Sequence, residues 1–72
     1  MGTLTLKGRD YDFQWASDVA FDGIRLEILS EGGDMLFDVS MPDKGPITVN
    51  THGQEIAAEL LVAAIEVAQS RQ

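Results

Sequence analysis

The hydrophobic pattern of this chain changes period once, and that change limits the fold more than any other feature. Up to about residue 50, apolar and polar side chains alternate, as in strands with one buried face; from Gln54 onward the apolar residues recur at helical spacing. Strands written first and a single helix written last predict an α+β fold. The expected architecture is an antiparallel β-meander of four to five main strands within residues 3–50, with one C-terminal α-helix, about residues 52–70, packed on one face. Across 72 residues there is no repeat, linker or low-complexity segment, so residues 1–72 are read as a single domain.

Turn chemistry and charge suggest the registers. Leu4 and Leu6 alternate with threonines, and Tyr11, Phe13 and Trp15 alternate with Asp12 and Gln14. Pairing Leu6 with Tyr11 and Leu4 with Phe13 leaves Gly8-Arg9 as a two-residue loop. Glycine then stands where a type II′ turn needs it, and Lys7 faces Asp10. Farther on, Ile24, Leu26 and Ile28 form one inward row, and Met35, Phe37, Val39 and Met41 form the next. Two registers keep these rows together. One sets Ile28 against Met35 and Arg25 against Asp38; the other sets Ile28 against Phe37 and Glu27 against Asp38. Like charges directly opposite destabilise a sheet, so the first is expected, with a loop from Ser30 to Gly33. Around "PDKGP", Met41 is expected to pair with Ile47 and Val39 with Val49, which keeps both prolines out of a strand centre.

Residues 16–23, "ASDVAFDG", admit three readings. Asp22-Gly23 suits a type I′ turn that pairs Phe21 with Ile24 and Val19 with Leu26. Gly23 equally suits a bulge in one longer strand. A single helical turn from Ser17 is the third option.

The only histidine, His52, lies in "THGQ", just before the helical pattern. These four residues fit a capping box, with the Thr51 hydroxyl accepting from the Gln54 N–H. Glu55 and Arg71 then complement the two ends of the helix dipole. No other acid, base or nucleophile is tied to His52 by spacing, so it is expected to be a loop residue at a helix start.

Placed at 100° intervals, Ile56, Leu60, Ala64 and Val67 form an apolar helix face, broadened by Ala57, Leu61 and Ala68; Glu55, Glu59, Glu66 and Ser70 form a polar one. A second apolar stripe, Ala58, Val62 and Ile65, lies where a helix on a sheet normally turns polar. It is the first candidate for an interface. Leu29 and Leu36, diagonal neighbours on the outer sheet face in the chosen register, are the second.

Twelve acidic residues against five basic ones give a net charge of -7. That weighs against direct nucleic-acid binding and against anionic membrane surfaces. There is no cysteine, and one histidine cannot make a usual zinc set. No catalytic, cofactor-binding or metal-binding residue is assigned, and no cofactor is expected. No apolar run reaches membrane-spanning length, and the first residues lack a signal-peptide pattern, so a cytoplasmic location is expected. A chain this small gains from association. The expected function is therefore a small acidic, non-enzymatic interaction or regulatory protein, binding another protein and forming a homodimer through the Ala58, Val62 and Ile65 stripe. Two alternatives stand beside it. An inhibitor imitating nucleic acid would need rows of free carboxylates. A small-ligand-binding domain or enzyme would need a concave pocket with convergent polar groups.

Overall fold

The computed structural model describes residues 2–18 and 23–71. Five strands, β1 (Gly2–Leu6), β2 (Arg9–Asp18), β3 (Gly23–Leu29), β4 (Met35–Pro42) and β5 (Thr48–Asn50), precede one helix, α1 (Ala58–Ser70). The strands form an antiparallel sheet in chain order, β1-β2-β3-β4-β5. The α+β meander with a helix on one face is therefore the fold. Leu26, Ile28, Phe37, Val39 and Met41 from the central strands meet Leu60, Ala64 and Ala68 of α1 to form the core. The helix presents two alanines among its three buried residues, which lets its backbone approach the sheet closely. Leu61 and Val67 pack around that row, in agreement with the helical-wheel reading, whereas Ile56 packs against the core from the segment before the helix.

Three registers depart from expectation, and each departure has a local cause. In the first hairpin Leu6 faces Arg9 and Leu4 faces Tyr11, so the loop is Lys7-Gly8. Both loop residues have positive φ, 51° and 77°, the signature of a type I′ turn. The slip of two residues keeps every side chain on its expected face. It brings the Thr5 and Thr3 hydroxyls onto Asp10 (2.7 Å) and Asp12 (3.2 Å). Lys7 reaches Glu59 at 2.9 Å instead of Asp10, and the Arg9 guanidinium sits 5.7 Å from the centre of the Tyr11 ring.

Between β3 and β4 the rejected register is the real one: Ile28 faces Phe37 and Glu27 faces Asp38. The two carboxylates are separated in effect because each has a partner elsewhere. Gln14 Nε2 donates to Glu27 at 2.6 Å, while Asp38 is held by Arg25 and His52. A register shift between Ile28 and Leu29 then sets Leu29 against Met35. The extra residue is Leu36, which packs against the core. Ser30 closes the loop by accepting from Gly33 N (2.9 Å) and donating from its own N to Asp34 O (2.8 Å).

On the other side of β3, Ile24 and Leu26 face Ser17 and Trp15, not Phe21 and Val19. The reading of a helical turn from Ser17 also fails, since Ser17 and Asp18 lie in β2. The conformation proposed for residues 19–22 lies outside the described residues. The pairing of Val39 with Val49 is as expected, with Ile47 packed against the core just outside β5.

The helix starts six residues later than the capping box implied. Gln54 N donates to the Thr51 carbonyl at 3.0 Å, closing a turn in which His52 and Gly53 have φ of 55° and 78°. Left-handed residues cannot open a right-handed helix. Residues 54–57 then run without regular structure. Extended, four residues span about 13 Å, against about 6 Å as helix. The chain needs that reach to leave β5 at the sheet edge and arrive over β1, β3 and β4, on which α1 packs. Ala57 is the N-cap and offers no side-chain hydrogen bond. Glu59 is the acidic residue of the first turn, and Arg71 stacks over Trp15 at 4.5 Å.

Two stability changes follow. A side chain on Gly23 would fall onto the Met41 carbonyl oxygen and within 2.6 Å of Pro42 Cα. Close backbone approach, not turn geometry, therefore requires this glycine, and Gly23→Ala should cost about 1–3 kcal/mol as overpacking, read as a lower melting temperature. Conversely, Ala57→Ser supplies the missing cap and should stabilise by roughly 0.5–2 kcal/mol in urea unfolding.

Candidate functional site

The sheet face opposite the helix is a polar layer, and its centre is a carboxylate taken out of water. Asp38 alternates with the core residues Phe37 and Val39, so it points away from the helix, yet it is only 2% exposed. A buried carboxylate must be hydrogen-bonded or paired. Here Arg25 Nε lies 3.8 Å from Oδ1, on the neighbouring strand and diagonal to Asp38, and His52 Nε2 lies 3.0 Å from Oδ2. When the carboxylate is ionised it only accepts, and Nε2 is then the donor. The left-handed turn after β5 is what aims His52 back at the sheet, and His52 N donates to Asn50 Oδ1 at 3.1 Å to hold that turn. His52 is thus a turn residue, as expected, but it does not open the helix, and it is paired with a carboxylate that its spacing did not reveal.

The layer continues outward through Glu27 and Gln14 to the Thr3–Asp12 and Thr5–Asp10 contacts. These carboxylates accept hydrogen bonds from their neighbours and do not stand as free rows. Among the described residues no three His, Cys, Asp or Glu side chains lie together as a metal set. Asp38 and His52 line none of the larger clefts described. The arrangement ties the β5–α1 connection to β4.

The largest described cleft, about 430 Å3, lies where the segment before α1 meets the β3–β4 loop. Tyr11, Leu36, Ile56 and Leu60 supply its apolar lining; Arg9, Glu31 and Glu55 are its charged members. Its size suits a small molecule, and Ser30, whose hydroxyl accepts from Asp34 N at 3.2 Å, is also in its wall.

The chain matches no family model, no curated protein and no solved structure. Its own geometry is therefore the guide. Of the interface residues named from sequence, the helix brings Ala58, Val62 and Ile65 together on its outer side. Ala58 is exposed and Ile65 half-buried, and Val62, at 55%, is the exposed large hydrophobic residue of the described chain. Leu29 and Leu36 do not form a patch: the bulge sends Leu36 to the core, while Leu29 stays half-buried opposite Met35. Sequence reasoning missed the Asp38 cluster. The available signal was the alternation itself, which in either register places Arg25, Glu27 and Asp38 on one face; the return of His52 depends on positive φ that its sequence did not announce.

Removing either side of the clasp should be measurable. His52→Ala should cost about 1 kcal/mol, at the lower end for a hydrogen bond to a charged group because the ring is partly solvated. Asp38→Ala removes the buried carboxylate along with its hydrogen bond to His52 and leaves two side chains that are 34% and 37% exposed, so it should cost a similar amount, on the order of 1 kcal/mol. A double-mutant cycle in chemical denaturation should return a coupling near the His52 value.

Proposed function

We propose that this protein is a non-enzymatic interaction domain that works by binding protein surfaces: a partner's, through the outer stripe of α1, and a second copy of itself. The observation that carries this reading is Val62, a large aliphatic side chain left 55% exposed on a helix whose opposite face is fully used in the core. Burying what remains exposed of Val62 and Ile65 in a contact is worth roughly 1 kcal/mol each before the cost of association.

The surroundings of the stripe suggest the partner's chemistry. Glu55, Glu59 and Glu66 lie on the neighbouring polar side of the same segment, and the whole chain carries a net charge of -7. Apolar residues flanked by carboxylates complement an apolar surface flanked by lysine or arginine. Imitation of nucleic acid has only the total charge in its favour, since the outer-face carboxylates are engaged with neighbours. Self-association fits the small core of a 72-residue, cysteine-free chain. A cytoplasmic setting goes with the same absence of cysteine. No helix is long and apolar enough to cross a membrane.

Val62→Glu tests the stripe. The variant extends the polar side of the helix and should melt within a few degrees of the wild type. Side-by-side capture from native lysate should show a protein, identified by mass spectrometry and confirmed by direct titration, that binds the wild type and not the variant. Equal binding by both folded proteins would remove the stripe from the reading.

A further inference from the structure

The self-association in the reading above requires a surface, and the free edge of β1 has the chemistry for it. Among the described strands β1 has one neighbour, β2. The pairs flanking a two-residue turn are hydrogen-bonded, and the pattern alternates from there. Leu6, Leu4 and Gly2 therefore bond to Arg9, Tyr11 and Phe13, and the N–H and C=O groups of Thr3 and Thr5 point to the open side.

Natural sheet edges are usually guarded by a charge, a proline or a bulge. Gly2–Leu6 has none of these, although the chain around it is strongly acidic. Lys7, the nearest charge along the strand, is drawn to Glu59. The Thr3 and Thr5 hydroxyls are drawn to Asp12 and Asp10, toward β2. The other edge, β5, has three residues only and runs directly into the His52 turn.

We propose that two copies pair β1 with β1 antiparallel about Leu4, making one continuous sheet. In that register Thr3 of each copy exchanges N–H···O=C bonds with Thr5 of the other, and the inner faces also match. Leu4 meets Leu4, and Leu6 meets Gly2, over which the Phe13 ring lies. Leu4 and Leu6 are half-buried in one copy and gain cover from the other. Repulsion is small at this seam: Asp10 and Asp12 of the two copies stand three strand spacings apart, about 14 Å, beyond the Debye length of about 8 Å at physiological salt. The helix stripe is less suited to a second copy. Helices packed at about 8–10 Å would set glutamate-bearing flanks against each other. The two surfaces are thus divided, the edge for self and the stripe for a partner.

The test combines sedimentation equilibrium from micromolar to millimolar protein with amide hydrogen exchange at the two ends of that range. The wild type should sediment toward a dimer as concentration rises, with exchange at the Thr3 and Thr5 amides slowing in step. Thr3→Pro deletes an outward N–H that the β1–β2 ladder does not use, and should give a monomer with an unchanged β2–β4 exchange pattern. Val62→Glu should still dimerise. A wild type that stays monomeric throughout would overturn both the edge pairing and the self-association reading. A dimer whose Thr3 and Thr5 amides exchange as fast as in the dilute protein would overturn the edge assignment alone. The wild-type exchange measurement decides this even if Thr3→Pro fails to fold.

Discussion

One helix has to cover five strands, and the distribution of burial follows from that mismatch. Neighbouring strands lie about 4.8 Å apart, so the sheet is roughly 19 Å wide between its edge strands, whereas a helix with its side chains is about 10 Å across. The central rows, Leu26 with Ile28 and Phe37 with Val39, are completely buried. The rows nearer the margins, Leu4 and Leu6 on one side and Val49 and Ile47 on the other, are only half-buried. Arg71, the C-cap of α1, over Trp15 and Arg9 over Tyr11 help at the ends by laying guanidinium groups on the β2 rings. The margins stay incompletely covered, which is a physical reason for such a chain to seek company.

The architecture was legible because it rests on periodicity, which survives errors of register. Every strand row faces the side that alternation assigned to it, apart from Met35 and Leu36, which the bulge exchanges. The registers themselves were harder. A pairwise charge rule chose Arg25 against Asp38, but the observed sheet satisfies Asp38 through a diagonal arginine and a histidine from a distant turn. Pairwise rules fail where a polar group has more than one neighbour to choose from. The helix start failed for a related reason. Thr51 through Gln54 fit a capping motif locally, yet the chain had to cross the sheet before a helix was useful. Tertiary distance overrode local propensity.

The candidate contact stripe was legible for the same reason as the core, since helical phase survives a six-residue error in the helix start. The Leu29 and Leu36 patch was not, because one inserted residue changes the face of everything before it in the strand. Gly23 shows the opposite case. Its importance was visible in sequence, but its cause, the nearness of the β4 backbone, belongs to the packed sheet.

The chain order of these elements also bears on how the protein is made. Each strand pairs with its sequence neighbour, so the sheet can zip up hairpin by hairpin during synthesis, with little loop entropy to overcome. The helix that covers the apolar face is translated after all the strands. At ribosomal rates of about 5–20 residues per second, the interval is on the order of a second. During it, Phe37, Leu26 and Ile28 face solvent uncovered, on a nascent sheet with its β1 edge already open. The sheet is thus most adhesive before α1 has been made, and the arrival of Leu60, Ala64 and Ala68 ends that window.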